Sequence, residues 1–473
     1  MAILSQTEAQ DILKKVIGFS TADECDATLN GSLEGNVRSA RNSISTAGAV
    51  DNVSLAVTSY FGKRSGTATC NQFDEATLRR CVQRAEEIAR LAPESPEYMP
   101  LLGPQTYLSS PLSFAASTAG ITPDYRASQM AASMQYCDSK KLSSAGFLND
   151  QAGFVAKRNS KGLEAYQRTT NLDFSITVRT LDGMGSGYAA TDFTDIKNFD
   201  AARLTAVAAS KASSSVGAKA IEPGKYTVIL EPNALVSGSD ASLLAALMRS
   251  FDARAADEGR SFLSKKGGGN RKGEKLFDER VTIYSDPTNA EVPDLTFSGD
   301  GRPQQRTTWI EKGVVKNLYS SRYWAQKSGI PDLPSPAASS WKAARKAPPT
   351  SSRARPRAFW LRACGISARR PANAPVYGPD ARRYVLHRER RYQVSGQELP
   401  LQREPDYHAQ QPRGHRPPGA AGRQPGAAAQ DSRLHVYQLV GRGVENLNNI
   451  IFYIFKNLFT SPVRRFLLSE RTN

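Results

Sequence analysis

Histidine is missing from the first 335 residues of this 473-residue chain; His387, His408, His415 and His435 all lie beyond them. Within that body a Ser-His-Asp triad, a Cys-His pair or a His-ligated zinc site has no imidazole to draw on. Cysteine is nearly as scarce. Cys25, Cys70, Cys81, Cys137 and Cys364 are odd in number, widely spaced and form no C-x-x-C pair, which argues against a disulfide framework and fits a reduced, cytoplasmic compartment. No apolar run reaches the roughly 18 residues a membrane helix needs, and the N-terminus MAILSQTE shows no secretory signal. No membrane partner is expected.

What is abundant is positive charge. The chain carries a formal +17 and a sequence pI near 9.7, a balance that invites a nucleic-acid or anionic-membrane reading. The charge is not spread evenly. Residues 336–473 hold 24 basic and 8 acidic side chains, leaving 38 and 37 in residues 1–335. The tail also has 21 Arg against 3 Lys, and 14 of the 27 prolines. Two compositionally different objects are joined end to end.

The body reads as α+β: a mixed α/β N-terminal part, then a β-rich third domain. Ser5 and Glu8 form a capping-box pattern before the stripe Ile12, Leu13, Val16 and Ile17. Val53, Leu55 and Val57 alternate as a strand, with a turn at 62–66 before 67–70. The spacing of Leu78, Cys81, Val82, Ala85, Ile88 and Ala89 predicts a helix over 74–92. Another follows Pro123, with Ala127, Met130, Ala131 and Met134 inward. A hairpin is expected over 154–166, and Leu172, Phe174, Ile176 and Val178 alternate strictly. A helix over about 200–216 carries Leu204, Val207 and Ala208. Beyond Pro223-Gly224 come a strand at 226–230 and a helix capped by Ser239 or Asp240, with Leu243, Leu244, Leu247, Met248 and Phe251 on its apolar side. Strands at 281–284, 307–310 and 314–319 complete the body.

Several features resemble sites without qualifying as one. Gly183-Met184-Gly185-Ser186-Gly187 follows a strand as a phosphate loop would, but no apolar helix opens after it, so it reads as a β-turn. The basic, glycine-rich stretch 264–273 reads as a solvated loop, and Asp252, Asp257 and Glu258 as a wet helix end. Met130 and Met134 are core. A carboxylate-only metal site or paired-carboxylate chemistry has no spacing to support it.

Four stretches carry a family resemblance: DEATLRRCVQRAEEIAR (74–90), NLDFSITVRT with GMGSGY (171–180, 183–188), PGKYTVILEP (223–232) and QRTTWIEKGVVKNLYSSRYWA (305–325). Together they resemble the TldD/PmbA family, the modulators of DNA gyrase that include metallopeptidase subunits. The resemblance implies domains at 1–110, 111–220 and 221–335. It also implies that a TldD-like chain would carry H-E-x-x-x-H on the helix after the third-domain entry strand, where two imidazoles bind zinc and the Glu activates water. Here that helix reads LLAALMRS (243–250). Ala245 and Ala246 stand at the His-Glu positions and Ser250 at the second His. The resemblance therefore implies a PmbA/TldE-like, non-catalytic subunit with no catalytic residue, metal ligand or cofactor in this chain. Zinc is expected in a TldD-like catalytic partner, and peptide substrate is met through the complex; self-association is the other arrangement expected. A self-sufficient metallopeptidase with unrecognised ligands is the alternative within the family. Nucleic-acid binding through the tail's arginines is the alternative outside it, and it is not the favoured reading.

The family's third domain should run on past residue 335. Instead comes Arg/Pro/Ala/Gly-rich text, as when GC-rich DNA is read out of frame. Residues 395–411 admit codons whose neighbouring frame spells YPVKNFRFNESPIIMLNN, which is family-like. Residues 379–393 hide GLTRDGTFYIENGDIK and 336–352 SSLIMEGGTKGATDEL, the last at a different offset, which places a second slip near Arg370. From about Gly443 the text turns Asn/Ile/Phe/Lys-rich, as in translation past a missed stop. The expectation is a frameshifted, disordered tail over 336–473, truncating the third domain and leaving strand edges unpaired.

Overall fold

A computed structural model describes residues 3–217, 227–230 and 243–336, together with the backbone of three short strands further on. The α+β class holds. The dominant element is one six-stranded antiparallel sheet in the order β3-β2-β1-β4-β5-β6. Its strands are long: β1 (Glu24–Ala40), β2 (Ser43–Phe61), β3 (Arg64–Cys70), β4 (Leu142–Asn159), β5 (Glu164–Thr180) and β6 (Ser186–Phe193). The sequence reading places a strand at Val53–Val57 and none at β1. In the structure β1 is the centre of the sheet, pairing with β2 along its whole length and with β4 from Asp26↔Asn159 to Ala40↔Ala145. The division expected at residue 110 therefore falls between strands of one continuous sheet.

All the long helices lie on one face of that sheet. Helix α1 (Gln6–Phe19) starts at the foreseen capping box: the Glu8 N–H donates to Ser5 Oγ and the Ser5 N–H to Glu8 Oε2, the latter at 2.8 Å. Helix α2 (Glu75–Leu91) is capped by Asp74, which accepts from the Thr77 N–H at 2.9 Å. Their apolar stripes meet odd-numbered β1 and β2 residues in a core of Leu13, Val16, Leu29, Leu55, Leu78 and Phe154. After the short α3 (Ala116–Ala119), helices α4 (Pro123–Ser139) and α5 (Ala201–Ser214) cover the other half, against Val37, Leu148, Phe174 and Ile176. Two expected stripes shift. Helix α4 buries Arg126, Met130, Ser133 and Cys137, leaving Ala127, Ala131 and Met134 half-buried, and Val207 on α5 is 43% exposed. Both helices meet the sheet through narrow faces that small or polar residues fill.

The third part holds β7 (Thr227–Leu230), α6 (Leu243–Arg249), α7 (Ala253–Asp257), the sheet β10-β9-β8 and α8 (Arg322–Ser328). Strands β8 (Ile283–Ser285) and β10 (Val314–Val315) are shorter than their sequence patterns, while β9 (Thr307–Glu311) matches its own, and β9 turns into β10 through Lys312 and Gly313 at positive φ. Trp309, Phe251, Phe277, Ile283 and Ile310 form the core, and the buried Trp309 Nε1 donates to Ser285 Oγ at 3.1 Å. Strands β11 (Ala358–Leu361), β12 (Tyr384–His387) and β13 (Tyr392–Val394) extend β7 into a four-stranded sheet, β11 running parallel to β7. The rest of the expected out-of-frame tail, and the predicted cap at Ser239 or Asp240, lie outside the described residues.

Candidate functional site

Helix α6 is where the resemblance would place a metal centre. Leu244, Leu247 and Met248 anchor it in the core, followed by the fully buried Phe251. Ala245 and Ala246 lie on this helix, and Ser250 comes just after its end. The Ser250 N–H donates to the Leu247 carbonyl and its own carbonyl accepts from Ser261 Oγ at 2.7 Å. Methyl side chains offer a cation no lone pair, so two of the three positions cannot ligate zinc or move a proton.

The nearby carboxylates have other tasks. Asp252 caps α7, accepting from the Ala255 N–H at 2.7 Å. Asp257 accepts from Asn270 Nδ2 at 2.7 Å and Trp324 Nε1 at 3.0 Å, tying the basic loop and α8 to α7. Glu258, hydrogen-bonded by Arg254 and Arg260, has its carboxyl held below the ordinary range by those two guanidinium groups. The expected wet helix end is thus correct for exposed Glu258 and not for half-buried Asp252 and Asp257. Arg254 also grips Glu97 with two bonds of 2.9 Å, fixing the third part to the loop after α2. Among the described residues no three His, Cys, Asp or Glu side chains gather as a metal site. The residues present do not fit zinc.

The other motifs resolve locally. The 183–187 stretch is a turn that leads into β6, with Gly183 at φ 71°, and Gly185 and Gly187 serve packing: a Cβ on Gly187 would lie 2.0 Å from the Ala208 carbonyl of α5. The 264–273 loop is exposed and closed on itself, the Lys265 N–H bonding the Gly269 carbonyl at 2.9 Å.

A larger polar surface, not among the sequence-predicted features, lies on the main sheet. On the sheet face away from the helices, Asp26, Thr28, Asn30, Ser32 and Glu34 of β1 are all half-buried. Lys157 of β4 donates to Asp26 Oδ2 at 2.5 Å and Thr28 Oγ1 at 3.1 Å, and Gln151 reaches Glu34 at 3.2 Å. Burial pushes the Asp26 carboxyl up, against the pull of Lys157. The third part closes one end of this face: Gln167 of β5 donates to the Asp294 carbonyl and accepts from the Thr296 N–H, both at 2.8 Å. Such a shelf of amides, hydroxyls and carboxylates is suited to hydrogen-bonding an extended polar ligand. The signal that could have found it is the alternation in β1 of small or apolar Cys25, Ala27 and Leu29 with Asp26, Thr28 and Asn30.

Comparison with known proteins now adds the family. Residues 25–89 match the PmbA/TldA metallopeptidase domain 1, and residues 223–361 match the PmbA/TldA metallopeptidase C-terminal domain. The chain belongs to the TldD/PmbA family. Its C-terminal-domain match continues past residue 335, where the composition changes. Among solved structures, TldE from Thermococcus kodakarensis is similar over 80% of this chain and 86% of its own, at 16% identity and a TM-score of 0.65. A putative modulator of a DNA gyrase from Thermotoga maritima MSB8 is similar over 70% and 77%, at 15% identity and 0.61. Another putative modulator of DNA gyrase, from Bacteroides thetaiotaomicron VPI-5482, is similar over 71% and 76%, at 18% identity and 0.59. At these identities the likeness is one of fold. No match was found among curated proteins.

Proposed function

We propose that this chain is a PmbA/TldE-like subunit of a cytoplasmic peptidase complex, one that does not itself carry the catalytic metal. The observation that supports this is the composition of α6 and the residue after it: Ala245, Ala246 and Ser250 where a TldD-like subunit has H-E-x-x-x-H. The neighbouring carboxylates offer no substitute, since Asp252, Asp257 and Glu258 are committed to a cap and to side-chain partners. Zinc and the activated water then belong to a TldD-like partner, and this chain contributes to holding peptide substrate. The out-of-frame tail is part of the same proposal, with the part of the native third domain that is not matched in this frame encoded in the neighbouring frames.

Two measurements test this. Re-sequencing the gene around codons 330–375 is expected to show the slips, and a single intact frame across repeated reads sinks that part. The frame-restored protein, purified alone and with a TldD-like subunit, is then assayed for zinc and peptide hydrolysis. Zinc and activity are expected only in the mixture; stoichiometric zinc with hydrolysis by this chain alone overturns the subunit reading.

A further inference from the structure

Two cysteines with ten residues between them in sequence are brought together by the packing of α2 on β3. Cys70 is the last residue of β3 and Cys81 lies on α2. Gly66, Ala68 and Cys70 share the helix-facing side of β3, because a strand alternates with period two, and Cys81, Ala85 and Ala89 share one stripe of α2 at intervals of four. Gly66 shows how closely the two rows meet: a Cβ there would lie 2.2 Å from the Ala89 N and 2.4 Å from the Ala85 carbonyl oxygen. One turn back along α2 from that contact is Cys81, and four residues forward along β3 is Cys70. Both pack into the core around Leu55 and Leu78, as free thiols whose side chains are within hydrogen-bonding reach of each other. Cys25 shares this core but not the contact. It stands opposite Ser59, and Ser59 opposite Gly66, whereas Cys70 stands opposite Leu55. That places Cys25 about 10 Å across and about 13 Å along the sheet from Cys70, too far for a disulfide. Cys137 belongs to the core under the other half of the sheet.

We propose that Cys70 and Cys81 form a reversible dithiol–disulfide site, oxidised by a small-molecule disulfide of the glutathione kind, which ties the end of β3 to α2. Cys70, half-buried, is the sulfur that solvent reaches, whereas Cys81 is buried. Cys70 gives its proton to solvent and attacks one sulfur of the small disulfide; that S–S bond breaks and one glutathione leaves as the thiolate. The Cys81 sulfur then loses its proton and attacks the Cys70 sulfur of the mixed disulfide, forming the internal bond and expelling the second glutathione. Two protein thiols are oxidised and one small disulfide is reduced to two thiols. The order follows from the surroundings. Burial, and next the Cys70 sulfur beside it, push the Cys81 thiol up to about 12, so Cys81 reacts second, after capping has removed the charge of its neighbour. Excess reduced thiol runs the same exchange backwards. The site is independent of the metal-free α6, and its test reads neither zinc nor hydrolysis.

The test is a disulfide map of the unsubstituted full-length chain. The chain is incubated in native buffer with glutathione disulfide, its remaining thiols are blocked with N-ethylmaleimide, and a tryptic digest is read by mass spectrometry without reduction. Cleavage after Arg64, Arg79, Arg80 and Arg84 puts the two cysteines on separate peptides, 65–79 and 81–84. These two peptides are expected joined, and dithiothreitol is expected to part them. Cys81→Ser should stop the reaction at a glutathione adduct on Cys70, and Cys70→Ser should leave Cys81 unmodified. The same treatment in urea should give mixed pairings among all five cysteines. The proposal is overturned if Cys70 carries glutathione with no link to Cys81, if neither cysteine reacts, if either is joined instead to Cys25, Cys137 or Cys364, or if the link forms equally well in urea.

Discussion

Asp150 lies on the helix-covered face of the sheet, where a carboxylate is costly. Its partner is Arg126 of α4, whose Nε lies 2.5 Å from Oδ1 and whose Nη2 lies 3.2 Å from Oδ2. Gly35 makes the room, because a Cβ there would sit 1.8 Å from Arg126 Nη2. Burial pushes the Asp150 carboxyl up and the guanidinium only partly offsets this. Breaking such a pair leaves one charge stranded. Arg126→Met should therefore cost about 3–5 kcal/mol in urea denaturation, while the double variant Arg126→Met/Asp150→Leu should recover most of it. Glu86 behaves oppositely. Burial raises its carboxyl, but the Thr21 N–H and hydroxyl, Ser20 and Arg90 outweigh that and hold it below the ordinary range. A depressed carboxyl adds stability above its unfolded value and loses it as pH falls through the folded one. Glu86→Gln should cost about 1–3 kcal/mol at pH 7, and the gap to the parent should narrow below about pH 4.

Among the elements, β6 and α5 touch through glycine. Gly187→Ala should destabilise by about 1–3 kcal/mol, since its Cβ meets α5 backbone that has no room to give. Gly18→Ala on α1, with nothing within 4 Å, should be neutral or gain up to about 1 kcal/mol; thermal melts of both variants check the pair. These elements also differ in how plainly the sequence announces them. β5 is legible because Leu172, Phe174, Ile176 and Val178 fill one face and are all buried. Helices α1 and α2 are legible because Ser5 and Asp74 cap apolar stripes. β1 is not, because glycines at 31 and 35 replace side chains on its inner face to admit Phe154 and Arg126, while its outer face is polar. The inward stripe of α4 is obscured for a related reason: its buried positions include an arginine and a serine, which periodicity discards as surface. At α6 the sequence is informative through what is missing, and the structure adds the partners that occupy Asp252, Asp257 and Glu258.

At the scale of the whole molecule, the opening charge belongs almost wholly to residues 336–473. Any DNA binding by the translated chain should be polyelectrolyte in kind, so deleting 336–473 should abolish salt-sensitive retardation of DNA in gel shifts. The six-stranded sheet points to a consequence for synthesis. Its last strand ends at Phe193 and its last helix at Ser214, so the ribosome has finished this entire layer long before it reaches codon 335. A frameshift of the kind proposed would come after the centre of the molecule has been written. A chain stopped at residue 217 should therefore emerge with β1 to β6 already assembled and resist limited proteolysis, so that whatever follows in the message, the N-terminal body is complete on its own.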